Sequence, residues 1–433
     1  MISKKNITLV FFETLKKIFK TGYFFFKHTF YPTACVCNMI FCMLHRDYSH
    51  LHACIKGLEQ YCKETGIIKG ELSKDESIVV FPKEYYDKRC EDVSNIQYNE
   101  TTKYGRITIP SIYYILFHDV IVIGGNNFVI KQHTILMPNF TDRTSRDFVW
   151  TNSTISTIHN NKTDIRYKKE INHLDTALHL LNPASANYFH FMIEVLPKLV
   201  LYSDTCFGEA QVPILVDACI KNTNMQVALD ILNDNKHKII YVDSGTTWHV
   251  DNLVYITPVT WMPMNMKKRA WPSGVDYGFS IYATKKIRDE LKLHLVDHGY
   301  RKVYLARYKL KNKRLINDQI ISEICAEHGF KIIFPEELSL IDMLSYVYYS
   351  EYIIGCAGAA FANAIVAANK QMIYMIVPRT HESLLWPTMI KNMGVNLAMI
   401  DARVVVKTRN AASDQFEVSP NDVETVLSII DNA

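Results

Sequence analysis

Three absences narrow what this sequence can be. None of its ten cysteines forms a CxxC pair and no histidine falls at zinc-finger spacing from one, so a zinc ribbon and a dithiol redox centre are excluded. Glycine (16) and proline (14) are sparse and mean hydropathy is −0.04, which excludes collagen-like, low-complexity and disordered classes. No apolar run approaches the roughly 20 residues that cross a bilayer as a helix, and a net charge of +4 is too small to argue for nucleic acid. What is present is 433 residues, 48% of them apolar and 12% aromatic. That is material for two or three domains with a large buried core.

The cysteines are scattered, and five precede residue 63. They read as free, buried, small hydrophobes of a reduced compartment. Sequons at Asn99, Asn139, Asn152 and Asn161 point the other way, toward secretion. Asn and Thr are common here and chance matches are expected, so a cytoplasmic location is preferred.

The first 28 residues set Lys4, Lys5, Lys16, Lys17, Lys20 and Lys27 against one acid, Glu13, with Phe11, Phe12, Phe19 and Phe24 to Phe26 between them. A helix of this kind has an aromatic face and a basic rim, suited to an anionic membrane surface. The run 33–44 is too short to span, and no small-residue cleavage site follows it. Residues 1–70 are therefore expected to form a helical, basic-amphipathic extension, peripheral on the inner face of the cytoplasmic membrane.

Strand-like runs follow at 78–81, 120–123, 128–130, 213–216, 238–242 and 253–256, with a helix around 186–203. Residues 139–170 are polar and aperiodic, which predicts a long exposed loop. Residues 71–285 thus read as one α/β domain. From 286 to 412, strands at 303–306, 331–334, 352–355, 372–377 and 396–400 alternate with helical segments. That pattern predicts a parallel sheet covered on both faces, a Rossmann-like domain. Ser419-Pro420 opens a terminal helix within 413–433.

Ligands of such sheets bind beyond the carboxyl ends of the strands, and two segments qualify there. The strand 303–306 runs into Arg307, with Lys309, Lys311, Lys313, Arg314 and Asn317 after it, cations suited to phosphate. The strand 352–355 opens into Gly355-Cys356-Ala357-Gly358-Ala359-Ala360-Phe361-Ala362-Asn363, where small residues admit a ligand to free backbone N–H groups. This is not GxGxxG, so a dinucleotide cofactor is poorly supported. A third segment, Asn187 to Leu199, puts His190 and Glu194 four apart on one helix face, a carboxylate-held imidazole able to accept a proton. Trp261 and Trp271 could stack on a sugar, although core packing suits each as well.

In order and spacing these segments resemble the family 61 glycosyltransferases. The family's Asn, two residues, His, an aromatic, then an acid before Leu-Pro-Arg-Leu is similar to Asn187 through Leu199. Its strand ending in Arg, followed by Arg-x-x-Asn-Glu, resembles 303–307 and Arg314-Leu315-Ile316-Asn317-Asp318. Pro335-Glu336-Glu337-Leu338-Ser339 and the turn Gly355 to Asn363 resemble further family elements. Two positions depart: Ala357 stands where the family usually has His, and Met375 where it usually has an acid.

The resemblance implies a GT-B-like fold, two Rossmann-like domains facing a cleft, and inverting transfer from a nucleotide sugar, usually UDP-linked, to a glycan or glycolipid hydroxyl. It implies donor and phosphate contacts from Arg307, Arg314, Asn317, Gly355, Gly358, Ala359 and Asn363, and no metal or other cofactor. The absence of Asp-x-Asp agrees. Glu194 is preferred as the base with His190 as its orienter or a donor contact, in an enzyme of capsule or surface-polysaccharide synthesis. Ala357 and Met375 keep a silent sugar-nucleotide-binding relative open, and the sequons a secretory enzyme acting on protein-linked glycans.

Overall fold

The computed structural model describes residues 42, 47–80, 105–140, 155–159, 162–261, 277–310, 314–367, 371–379, 385–408 and 413–433. The amphipathic segment before residue 42, three of the four sequons, Trp271, Lys311 and Lys313 lie outside them.

Two sheets carry a mixed α/β fold. The first is built from β1 (Tyr48–Gly57), β2 (Ile68–Ser73), β5 (Ile112–Ile123), β6 (Val129–Lys131), β7 (Thr134–Met137), β8 (Ile155–His159), β9 (Lys162–Lys168), β10 (Ile171–His179), β11 (Ile214–Asp217), β12 (Ile239–Val242) and β13 (Thr247–Ile256). Two short pairs, β3 (Glu76–Val80) with β4 (Gly105–Ile109) and β14 (Thr260–Trp261) with β15 (Gly278–Phe279), stand apart from it. The strand order is β12-β11-β10-β13-β5-β6-β7-β1-β9-β8, with β2 beside β5. Its parallel part, β12-β11-β10-β13, reverses direction of growth between β10 and β13. That reversal is the topological switch point, where ligands of open α/β sheets sit.

The second sheet has the order β17-β16-β18-β19-β20-β21, formed by β16 (Lys302–Leu305), β17 (Lys331–Ile333), β18 (Tyr352–Cys356), β19 (Met372–Val377), β20 (Asn396–Val406) and β21 (Gln415–Val418). All but β21 are parallel, and the switch point falls between β16 and β18. Both faces are buried, with period-two alternation. Val303, Leu305, Ile353, Ile373 and Met375 enter one core, while Tyr304, Ala306, Ile354, Tyr374 and Ile376 enter another. The first of these cores also takes Leu178, Ile214, Val216, Val254 and Ile256 from the first sheet. Helices Asn224–Asn233, Ile281–Leu291 and Leu340–Tyr349 contribute to it as well. A shared helical layer thus joins the two sheets. The other core is closed by Asp318–Glu327 and Pro420–Asp431.

Two expectations are corrected. Tyr48–Gly57 is a strand, not part of a helical extension: Ala53 and Ile55 are buried while His52 and Cys54 are exposed, a period of two. The expected loop 139–170 holds a hairpin of β8 and β9, and β9 pairs antiparallel with β1. Its polar side chains hid it, because Thr163 and Asp164 are buried there beside Ile165. The terminal helix Pro420–Asp431 forms as expected, preceded by the additional strand β21. Among the described residues no helix is long and apolar enough to cross a membrane.

Asn139 is 8% exposed and its side-chain amide donates to the Thr260 carbonyl, so this sequon is taken up by internal packing. All seven described cysteines are free; Cys62, Cys325 and Cys356 are buried, but Cys54, Cys206 and Cys219 are exposed.

Candidate active site at the two switch points

The loop leaving β10 is held by Asp217 at the end of β11. One carboxylate oxygen accepts the Gly125 N–H (2.7 Å); the other accepts the Asn182 N–H (2.8 Å) and the Ser185 hydroxyl (2.5 Å). Burial pushes this carboxyl upward, and those three donors oppose the shift. Asp217→Ala leaves three donors without their acceptor and should cost on the order of 3 kcal/mol, read from urea unfolding.

Asn187 then caps the next helix, accepting the Phe189 N–H at 3.0 Å. Tyr188–His190 is α-helical, Phe191–Val195 widens to a π turn, and Leu196–Tyr202 is α-helical again. Pro197 explains the widening. It has no N–H to offer the Ile193 carbonyl, and its ring would collide with that carbonyl in an α-helix.

The π turn sits at the candidate base. His190 Nδ1 is 2.7 Å from Glu194 Oε1, the Tyr277 hydroxyl donates to the same oxygen at 2.9 Å, and Asn182 Nδ2 donates to Oε2 at 3.3 Å. Burial alone would raise the Glu194 carboxyl, but His190, Tyr277 and Asn182 hold it below the usual value. Burial alone would lower His190, and the Glu194 charge overrides it to raise the imidazole. Each group thus favours the charged form of the other. Glu194 has three donors; among the described residues His190 Nε2 has no partner.

One turn on, Lys198 is 3% exposed, with its ammonium 5.7 Å from the Tyr255 ring centre. Burial lowers it to about 8, with Glu194 opposing. Glu194 and Lys198 line a small pocket together with Asn127, Asn139, Asn182, Pro258 and Thr260. Asn182, Glu194 and Lys198 follow the carboxyl end of β10, and Pro258 and Thr260 follow that of β13, the first sheet's switch point.

At the second switch point, Arg307 leaves β16 beside Gly358. A Cβ on Gly358 would stand 2.1 Å from Arg307 Nη1, so glycine is what lets the guanidinium lie there. Asp318 fixes the Arg307 backbone, accepting its N–H at 2.6 Å and the Tyr304 hydroxyl at 2.5 Å. Arg314 converges from the other side, its Nη1 donating to the Ala357 carbonyl (3.0 Å) above the Phe416 ring. Among the described residues nothing accepts a hydrogen bond from the Arg307 guanidinium. The two switch points meet where the Tyr188 hydroxyl donates to Asn363 Oδ1 (2.6 Å) and Trp386 packs against Phe189 and Phe361.

Residues 188–374 match the family model for Glycosyltransferase 61. This chain carries a glycosyltransferase 61 domain. It is accordingly a glycosyltransferase, and the matched span takes in His190, Glu194, Arg307, Arg314 and the Gly358 turn. No curated relative matches the chain.

Within the glycosyltransferase 61 domain the expected donor residues divide into two groups. Arg307, Arg314, Gly358 and Ala359 lie together at the turn between β18 and the 3₁₀ helix Ala359–Val366. Asn317, Gly355 and Asn363 are engaged by neighbouring elements of the fold. Asn317 exchanges both side-chain hydrogen bonds with the Val418 backbone of β21. Gly355 admits Leu305, whose Cβ lies 2.9 Å from where its own would be. Asn363 is 1% exposed and holds Tyr188 and the Ala360 carbonyl. Met375 is fully buried in the core, so its departure from the family pattern is a packing choice. Lys309, expected beside phosphate, pairs with Glu337 and covers the Phe334 ring.

Sequence reasoning missed Asn182, Lys198 and Tyr277 as parts of the site. Lys198 carried a signal, a single cation in the otherwise apolar run Leu196 to Tyr202. Asn182 and Tyr277 carried none, being brought to Glu194 by the fold.

Proposed function

We propose that the enzyme transfers a sugar, with inversion, from a nucleotide donor of the UDP type to a hydroxyl of a glycan or glycolipid acceptor, without a metal. The observation that carries this reading is the pairing of a carboxylate-held imidazole at one switch point with a guanidinium at the other that has no acceptor among the described residues. His190 Nε2 takes the proton of the acceptor hydroxyl as its oxygen attacks the anomeric carbon. The bond from that carbon to the diphosphate breaks, and its electron pair leaves with the diphosphate. Attack opposite the leaving group inverts the anomeric centre. Arg307, Arg314 and the backbone amides after Gly358 meet the charge that grows on the diphosphate, supplying fixed electrostatics in place of a cation.

The preferred order of roles changes with this geometry. Glu194 is saturated with donors and its carboxyl is held low, which makes it a poor base and a good orienter. Among the described residues nothing engages His190 Nε2, so the neutral imidazole is the better proton acceptor. The two sheets are read as the two halves of a GT-B arrangement. The basic, aromatic N-terminus supports work at the anionic inner face of the cytoplasmic membrane, on the acceptors of surface-polysaccharide synthesis.

The test is release of free nucleotide from a panel of nucleotide sugars in the presence of chelator. Acceptor-dependent release of UDP, unaffected by EDTA, is expected. Dependence on added Mg²⁺ or Mn²⁺, or release from no UDP-sugar, would refute the reading.

A further inference from the structure

A second group of chemically active side chains lies on the first sheet, away from the Glu194 pocket. β10 reads His173-Leu174-Asp175 and β13 reads His249-Val250-Asp251, and their parallel register sets His173 opposite His249. Leu174 and Val250 pack inward, so alternation leaves both imidazoles on the other, solvent-facing side. β5 adds Asp119, which falls opposite Asp251 between the paired rows Val250–Val120 and Asn252–His118. Asp119 is held at φ 53°, a left-handed conformation that turns its side chain out of the regular pleat.

The contacts have the form of a ligand set. His173 Nε2 lies 3.0 Å and His249 Nδ1 lies 3.5 Å from the same oxygen, Asp251 Oδ1, and the rings stack 5.4 Å apart. The remaining nitrogen of each imidazole faces another carboxylate: His249 Nε2 is 2.7 Å from Asp119 and His173 Nδ1 is 3.9 Å from Asp175. A metal-bound histidine commonly gives its far N–H to a carboxylate, which fixes the tautomer and strengthens the donor nitrogen. Here His249 has that arrangement with Asp119, Asp175 stands 3.9 Å from the far nitrogen of His173, and the inner nitrogens of both rings converge on one carboxylate oxygen.

We propose that His173, His249 and Asp251 bind a divalent transition-metal ion, with Asp119 and Asp175 orienting the imidazoles. Two nitrogens and one oxygen suit Zn²⁺ and its neighbours, whereas Ca²⁺ and Mg²⁺ take oxygen sets. The site lies near the amino ends of β10 and β13, about 20 Å along the strands from their carboxyl ends, beyond which the pocket lies. The ion would clip β5, β10 and β13 together and would take no part in the transfer.

The full chain, stripped with chelator, is titrated with Zn²⁺ against a chromophoric competitor and melted with and without the ion. A second group, His50, His52 and Asp164, also lies together. The readout is therefore the difference from an H173A/H249A double variant, at positions 54% and 30% exposed in the side chain, where alanine should be tolerated. Wild type should hold one equivalent more than the double variant and alone show a Zn²⁺-dependent rise in melting temperature. Asp119→Asn should weaken that equivalent by about 10- to 100-fold. Equal stoichiometry and equal thermal shifts in wild type and double variant would overturn the proposal.

Discussion

His190→Ala should lower turnover by about 10²- to 10⁴-fold, the range for loss of a general base, and leave affinity for the nucleotide sugar at the wild-type value. The sign of its pH dependence follows from the site. The base must be neutral, and Glu194 raises the imidazole above its ordinary 6.5, so turnover should climb with pH through that raised value. Glu194→Gln keeps the shape of the site and removes the charge. Burial then dominates, and the acid limb should move below 6.5 while the maximal rate also falls. An acid limb that stays in place in Glu194→Gln would remove His190 from the chemistry. A wild-type rate in His190→Ala would do the same.

The pair also bears on stability. Glu194 is held below its unfolded value of 4.5, so its contribution is present above that pH and is lost as pH falls through the lower folded value. His190 is raised above 6.5, so its contribution is full below that pH and is lost as pH rises through the folded value. The pair therefore stabilises most between about 4.5 and 6.5, while catalysis by a neutral imidazole needs a higher pH. Optimal stability and optimal turnover should separate in the wild type and draw together in Glu194→Gln.

The second sheet was legible because its strands are buried on both faces and read as short, nearly continuous apolar runs broken by helical periods. Val303 to Ala306, Tyr352 to Cys356 and Met372 to Val377 announce themselves in this way. The first sheet was less so. β9 carries Lys162, Thr163, Asp164 and Arg166, and it is a strand because it pairs with β1, a long-range contact that local composition does not register. The same division runs through the site. His190 and Glu194 share one helix and could be read four residues apart, but Tyr277 reaches Glu194 across 83 residues and Asn363 meets Tyr188 across 175. Asn317 looked like a ligand residue in sequence, with Asp318 after it in the same family motif. In the fold they fasten β21 and the Arg307 backbone, so they shape the phosphate end of the site through Arg307.

Arg307→Ala should weaken binding of UDP by about 10- to 150-fold, the loss of one charge-assisted hydrogen bond worth about 1.5–3 kcal/mol, with no change in melting temperature. Stability is spared because, among the described residues, nothing accepts a hydrogen bond from this guanidinium. Arg314→Ala is the contrast. Its guanidinium donates to the Ala357 carbonyl and lies 5.3 Å from the Phe416 ring centre, so its loss should lower the melting temperature as well as UDP affinity. Gly358→Ala separates position from charge. With φ at 176° the backbone tolerates alanine, but the new Cβ would stand 2.1 Å from Arg307 Nη1 and the guanidinium must move. Affinity should then fall toward that of Arg307→Ala although every charge remains. Calorimetric titration of UDP into the three variants reads all of this. Wild-type affinity in both Arg307→Ala and Gly358→Ala would mean that the diphosphate is held elsewhere, because the same guanidinium would have been removed in one variant and displaced in the other without consequence.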